Sequence, residues 1–376
     1  MIIPFNKPYY TGKEIQYIKQ AMSNSHLSGD GYYTKKVNSF IEEKFKTKKS
    51  LFVTSGSSAL DIAAILLDLK PEDEVIMPSY TFVSTANAVV LRGAKVVFAD
   101  INPSTLNIEP EEIEKRITKK TKAIFPVHYA GVACDMDRIM KIAEKHNLKV
   151  VEDAAQGVNA KYKGRHLGSI GDIGCYSYHE TKNYVCSEGG SILINYDENL
   201  AKKCEIVREK GTNRSQFFRG EVDKYTWVDI GSSYLASDML AAFLYAQFEA
   251  LDEINEKRKM AYEYYHNNLL DFEKKGLIKL PYIPKEAQSN YHMFYIILET
   301  EDKRNSVMDK LKQEGILAVF HYIPLHLSPM GKNMGYQKGN LPITEEYSVR
   351  LLRLPLYAGM KEEELNYIVK KLKNLF

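Results

Sequence analysis

The chain has 376 residues, a formal net charge of +3, and a hydrophobic fraction of 44% against 26% charged. That length accommodates two packed domains, and the balance is ordinary for a globular protein. The basic residues are dispersed, which argues against a nucleic-acid-binding face, and no apolar run approaches the ~18 residues of a membrane span.

Residues 1–30 read as an extended arm, an amphipathic helix near 12–23 and a polar turn at 27–31. A second helix follows at about 34–45, where Val37, Phe40, Ile41 and Phe45 are spaced for one buried face. From there to about residue 155 short apolar strands alternate with helices. Strands are expected at 50–53, 74–77, 95–99, 123–127 and 149–152, with helices at 57–69, 85–91 and 136–146. This rhythm predicts parallel pairing with helical crossovers, and in such sheets ligands gather beyond the carboxyl ends of the strands.

The residues just after those strands carry chemistry. Thr54–Ser58 is a hydroxyl-rich turn opening a helix at Gly56 and Ser57, either an ordinary serine N-cap or a site for an anion such as phosphate. Phe82, after the second strand, is either core or a surface on which a flat ligand stacks. His128 and Tyr129 follow the strand at 123–127. Asp153 ends the strand at 149–152 and is either a cap or a charge aimed at a ligand, with Gln156 three residues on.

The stretch 174–190, GCYSYHETKNYVCSEGG, then offers Ser177, His179 and Lys182 in one constrained loop. A lysine that attacks a carbonyl needs a fixed position and a lowered pKa, and a partly desolvated loop supplies both. A strand is expected at 191–195. The polar stretch GTNRSQFFRGEVDKYTW follows, containing Asn213, Arg214 and Arg219, and loops this long tend to be functional or to reach a partner. A helix from 238 and a charged helix at 253–270 lead into a C-terminal domain. There, strands are expected at 292–298 and 318–322, and helices at 304–314, 344–352 and 361–373. The division between a large domain and a small one is placed at 1–250 and 251–376.

Cys134, Cys175, Cys186 and Cys204 show neither metal-ligand spacing nor a disulfide framework, so no metal is expected and the thiols read as reduced and cytoplasmic. The N-terminus MIIPFNKPYY has an early proline and no apolar signal-peptide core.

Ser-x-His-x-x-Lys, an upstream Asp-x-x-Gln after a strand, and the small-residue helix start form a set. Together with PSYTFVSTANA, PVHYAGVACDMD and FHYIPLH, it resembles the DegT/DnrJ/EryC1/StrS family of sugar aminotransferases over nearly the whole chain. The resemblance implies an α/β fold of pyridoxal-phosphate fold type I, with a large mixed, mostly parallel sheet and a smaller C-terminal α/β domain. It implies transamination of a nucleotide-linked 4-keto-6-deoxyhexose, a dTDP-sugar, with L-glutamate as amino donor. By resemblance, Lys182 binds pyridoxal phosphate covalently and shuttles protons, and Asp153 holds the proton on the ring nitrogen. Gln156 would meet the phenolic oxygen, Phe82 the ring face, and Gly56, Ser57 and Ser177 the phosphate.

His179, His321 and His326 would face the nucleotide-sugar. Asn213, Arg214 and Arg219 would reach its diphosphate across the interface of a homodimer with active sites between subunits. Ser233 stands where many family members have the asparagine that reaches the partner subunit's cofactor phosphate. Amination at C3, another nucleotide, or a non-enzymatic sugar-nucleotide-binding regulator are the competing readings. Family dehydratases replace the reactive lysine by histidine, so Lys182 argues against dehydration. C3 enzymes of the family more often carry an aromatic where His179 stands, which favours C4.

Overall fold

The short apolar runs in the first half of the chain become strands because successive side chains enter two separate cores. In β1 (Lys49–Val53) Phe52 packs to one side, while Leu51 and Val53 pack to the other. In β2 (Glu74–Pro78) Ile76 opposes Val75 and Met77 in the same way. The computed structural model describes residues 1–376. The remaining strands of the first half are β3 (Lys95–Ala99), β4 (Thr121–Ile124) and β5 (Lys149–Asp153). A small hairpin of β6 (Lys161–Tyr162) and β7 (Arg165–His166) precedes β8 (Ile173–Ser177) and β9 (Gly190–Ile194).

Seven of these form one sheet in the order β1-β9-β8-β5-β4-β2-β3. β3, β2, β4, β5 and β8 are parallel neighbours, whereas β9 runs antiparallel to both β8 and β1. Parallel pairing holds among β2 to β5 and β8, and β9 makes the sheet mixed, as the resemblance implies; the connection explains its direction. β9 returns from β8 through the loop that carries Lys182 and not through a crossover helix, so it must run the other way. Helices Glu14–Ser23, Tyr32–Phe45, Met136–His146 and Asp238–Glu249 cover one face, and Gly56–Leu66, Val83–Val90 and Glu198–Arg208 cover the other.

Helix Leu251–Lys274 spans two cores. Leu251 and Ile254 belong to the large-sheet core, and Ala261, Tyr262, Tyr265 and Leu269 belong to a C-terminal core. β10 (Ala287–Gln288) pairs with β6, and β11 (Phe294–Ile297) pairs antiparallel with β12 (Leu351–Leu354). Ile3 of the N-terminal arm enters this second core and bridges Ile316. Two local expectations are corrected here. The helix expected at 344–352 is Pro342–Arg350, after which Leu351 turns extended and the apolar run becomes β12. The strand expected at 318–322 is a single bridge, Val319 to Arg353, because the chain then turns away into the cleft.

Candidate active site

The carboxyl ends of the parallel strands open on a cleft of about 420 Å³. Gly190 pairs in register with Val53 and with Ser177, so the turn after β1, the end of β8 and the Lys182 loop converge there. A Cβ on Gly190 would lie 2.3 Å from the Ser55 carbonyl carbon, and one on Gly56 would lie 2.8 Å from Ser177 Cβ. Both positions need glycine for the backbone to approach this closely.

Ser55 is the N-cap of Gly56–Leu66, its Oγ accepting the Ser58 N–H at 3.0 Å. The cap is therefore Ser55, and the two residues expected to hold an anion, Gly56 and Ser57, are left free of that role. Gly56 and Ser57, in the first turn, have N–H groups with no helical carbonyl to meet, and both line the cleft at the positive end of the helix dipole. Ser57 Oγ is held by Ser84 Oγ at 2.6 Å.

Consecutive carboxylates at the end of β5 leave opposite faces of the sheet. Glu152, fully buried, accepts the N–H groups of Gly168, Ile170 and Gly171 and bonds His128 Nε2 at 2.8 Å. Asp153 lines the cleft. Its Oδ2 accepts from Thr85 Oγ1 at 2.7 Å and its Oδ1 accepts the Ala155 N–H at 3.1 Å. Thr85 spends its proton on Asp153, so the 2.9 Å contact with Thr81 Oγ1 must be a bond that Thr81 donates. Gln156 Oε1 accepts the Ala130 N–H at 2.7 Å, which turns Nε2 toward Tyr322 Oη at 3.1 Å and toward the cleft. Ala130 holds φ +59° to make that bond. Phe82 is the N-cap of Val83–Val90 and is 55% exposed, so it is a cleft wall and not core.

Lys182 is half-buried in the same cleft. Burial pushes its ammonium down to about 8; Asp153 opposes the fall and the charge of Arg353 adds to it. The next residue anchors the loop: Asn183 Nδ2 donates to the Asn290 carbonyl at 2.7 Å, and its Oδ1 accepts from His292 Nδ1 at 2.8 Å. His292, Thr85, Tyr322 and Arg353 join the site without having been singled out by sequence. Only the Asn183 beside the lysine could have pointed to an anchored loop.

The remaining expected residues divide. His179 sits half-exposed at the mouth, its Nδ1 against Thr181 Oγ1 and its Nε2 3.6 Å from Glu188. His321 is buried in the cleft wall, its Nδ1 bonded to Tyr129 Oη at 2.7 Å. Burial, with Arg353 and Lys182 nearby, holds His321 well below its usual pKa, so it is neutral and accepts that phenolic proton.

His326 does not reach the cleft, and this corrects the expectation. It is fully buried, and Ser79 Oγ accepts its backbone N–H while donating to Nδ1 at 2.7 Å. Its Nε2 then donates to Glu345 at 3.0 Å, so both ring nitrogens are committed. Asn213, Arg214, Arg219 and Ser233 do not line the cleft of their own chain either. Asn213 Oδ1 accepts the Thr226 N–H, Arg214 pairs with Glu209, and Arg219 pairs with Glu205 and Glu221. Ser233 is exposed.

Pyridoxal phosphate fits these residues. The donors at Gly56, Ser57 and Ser177 suit a phosphate, Asp153 suits a protonated ring nitrogen, Phe82 offers an aromatic face, and Lys182 has a depressed pKa.

The comparisons agree. The family model described as the DegT/DnrJ/EryC1/StrS aminotransferase family matches residues 8–373. The pleiotropic regulatory protein of Geobacillus stearothermophilus is 36% identical, with 94% of this chain and 91% of that protein covered. GDP-perosamine synthase of Escherichia coli O157:H7 is 32% identical, with 100% and 98% covered. Spr1654 of Streptococcus pneumoniae, assigned as a sugar aminotransferase, superposes in its apo form with a TM-score of 0.93 at 26% identity, covering 100% of this chain and 98% of that one. It has also been solved in PLP and PMP forms. This chain belongs to the DegT/DnrJ/EryC1/StrS aminotransferase family and is a pyridoxal-phosphate-dependent sugar aminotransferase.

Proposed function

We propose that the protein transfers the amino group of L-glutamate to C4 of dTDP-4-keto-6-deoxy-D-glucose, releasing dTDP-4-amino-4,6-dideoxy-D-galactose and 2-oxoglutarate. The observation that carries the reading is the convergence of Lys182, Asp153, Gln156 and the Gly56-Ser57 turn on one cleft. When bound, the cofactor withdraws electrons from the carbon attached to the transferred nitrogen. Lys182 Nζ takes a proton from the amino-bearing carbon of the donor and delivers one to C4 of the sugar. The Asp153 carboxylate holds a proton at the ring nitrogen, and Thr85 and the Ala155 N–H fix its direction. Gln156 Nε2 and Tyr322 orient the phenolic side, and Phe82 excludes water from one ring face.

His179, which lines the cleft with Lys182, supports the choice of C4, since C3 enzymes of the family more often carry an aromatic in its place. We further propose a homodimer in which Asn213, Arg214, Arg219 and Ser233 serve the partner's cleft. GDP-perosamine synthase, at 32% identity over the full chain, favours keeping a GDP-linked sugar as the second reading.

Incubation with L-glutamate and either dTDP-4-keto-6-deoxyglucose or GDP-4-keto-6-deoxymannose, followed by NMR of the product, decides among these. We expect an axial amine at C4 of the dTDP-sugar. Turnover only with the GDP-sugar, or an amine at C3, would replace this reading.

A further inference from the structure

A lysine that moves a proton alternates between amine and ammonium. Where water is largely excluded, the ammonium needs a hydrogen-bond acceptor nearby, and a neutral one does not take the proton from it. Asp153 does not meet this need, because Thr85 and the Ala155 N–H hold its oxygens for the ring nitrogen.

A neutral acceptor is present. His292 is 6% exposed and lines the cleft with Lys182, and both also border a narrower gap with Asn183 and Asn290. Hydrogen bonds fix its tautomer. Asn183 Nδ2 donates to the Asn290 carbonyl, so Asn183 Oδ1 is left to accept and the imidazole proton sits on Nδ1. Nε2 is then a bare lone pair with no hydrogen-bond partner within the chain, and Lys182 Nζ has none either. Burial holds His292 well below its usual pKa, and Lys182, Arg258, Arg353 and His321 add to the fall, Lys182 most strongly among them. The ring is therefore neutral. Of the groups that act on this pair, only Asp153 is an anion, and it acts on Lys182.

The ring is held in place against strain. Tyr291, directly before it, sits at φ +54°, a left-handed conformation that bulky side chains rarely adopt. Arg258, buried in helix Leu251–Lys274, donates to the carbonyls of Tyr291, His292 and Leu356 at 3.0, 2.5 and 3.2 Å. Asn290 Nδ2 donates to the carbonyls of Gln156 and Val158, both at 2.8 Å. Two buried polar side chains thus clamp backbone on either side of one strained residue. Strain of this kind gathers where a side chain has to be aimed.

We infer that His292 Nε2 accepts a hydrogen bond from Lys182 Nζ while the lysine carries the transferred proton, and so holds it aimed for delivery to the sugar. His292 is a positioning residue, since the proton stays on Lys182 throughout. The inference rests on the proton-carrying role of Lys182 in the function proposed above.

Two amides separate this role from a structural one. In His292→Asn the amide nitrogen can replace Nδ1 and keep the bond to Asn183, but nothing stands at Nε2. In His292→Gln the amide oxygen can replace Nε2 as an acceptor. Acetylation of Lys182 by acetic anhydride in apo-protein, read by mass spectrometry across pH, reports the ammonium directly. The wild-type midpoint is expected at about 8. His292→Asn should lower it by about half a unit to one unit, since an ammonium without its acceptor loses a proton more readily. His292→Gln should keep the wild-type midpoint.

In holoenzyme the cofactor's absorbance follows each half-reaction. His292→Asn should slow both at saturation by about tenfold to a hundredfold, with half-saturating L-glutamate and keto-sugar nucleotide changed no more than about twofold. His292→Gln should recover most of that loss. Should either variant fail to fold, NMR of isotope-labelled histidine in the wild type decides. An unprotonated Nε2 whose resonance moves as Lys182 titrates, and no longer moves in Lys182→Met, is expected.

A midpoint that rises or stays unchanged in His292→Asn overturns the inference alone, as does a protonated Nε2. Equal loss in the Asn and Gln variants also overturns it, leaving His292 as an anchor of the lysine loop. A change confined to one half-saturating concentration overturns it and assigns His292 to that substrate. A borohydride label away from Lys182 overturns the proposed role of the lysine and this inference together.

Discussion

At the scale of single residues, the decisive quantity is the protonation of Lys182. Burial lowers its pKa to about 8, so a neutral amine is available well below the pH at which a solvated lysine would supply one. The rate at which apo-protein captures pyridoxal phosphate should therefore rise with pH and level off above about 8. Borohydride reduction should fix the cofactor to Lys182, as peptide mapping would show; a label elsewhere, or a rate still climbing at pH 10, would remove Lys182 from this role. The same shift has a stability consequence. The unfolded chain holds the extra proton between about 8 and the ordinary lysine value of 10.5, so apo-protein stability rises with pH across that window. Below it, the cost of the buried ammonium is fully present. Lys182→Met should flatten that part of the pH–stability curve. Asp153 differs in kind, since its position is what counts. Thr85 and the Ala155 N–H donate to its two oxygens, so Asp153→Asn would remove the charge that holds a ring proton and would also force Thr85 to accept from the new amide instead of donating.

Elements explain what could and could not be read from the sequence. Strands β1 to β5 and the helices between them were legible because both faces are buried and the apolar runs are short and bounded. Lys182, Asp153, Gln156 and the Gly56-Ser57 turn were legible because all sit just past strand ends. What failed to show was set by distant partners. β9 runs antiparallel because its connection is a loop, and β12 is a strand because β11 is there to pair with it. Arg353 on β12 reads as one more arginine until Val319 and Phe5 are placed around it. Of the two histidines in 320–326 that the resemblance places near the nucleotide-sugar, only His321 lines the cleft. His321 and Tyr322 wall the cleft, whereas His326 joins Ser79, just past β2, to Glu345 in helix Pro342–Arg350. His326→Ala should cost about 2 kcal/mol of stability in a denaturation curve, the usual penalty for orphaning buried partners. Burial opposes ionisation of Glu345, but the bonds from His326 and the N–H groups of Gly339 and Leu341 win and hold its pKa below the usual carboxylate value. The stability it contributes is present above that usual value and lost as pH falls through the lowered one. Glu345→Gln should therefore weaken the fold at neutral pH and show less acid sensitivity below about pH 4.5, without changing the KM for the sugar nucleotide. A raised KM would return His326 to the substrate.

At the scale of the whole molecule, one surface is out of keeping with a lone subunit. Phe218 is 69% exposed and Trp227 is 78% exposed, and Phe217, Tyr225, Val228 and Ile230 beside them in sequence are exposed as well. Apolar patches this dense mark interfaces more often than free surface. The same stretch carries Asn213, Arg214 and Arg219, with Ser233 just beyond it, the residues that the chain's own cleft leaves unused. A homodimer burying this surface would account for both facts, and it predicts that each active site needs two chains. Trp227→Asp combined with Phe218→Asp should sediment as a monomer and lose transaminase activity while keeping its secondary structure. Mixing Lys182→Ala subunits with Arg219→Ala subunits should restore activity, because each hybrid dimer contains one cleft with both residues intact. A fully active monomer would refute the shared site. A dimer whose hybrids stay inactive would keep the interface and move Arg219 back to the Glu205 and Glu221 pair that already holds it.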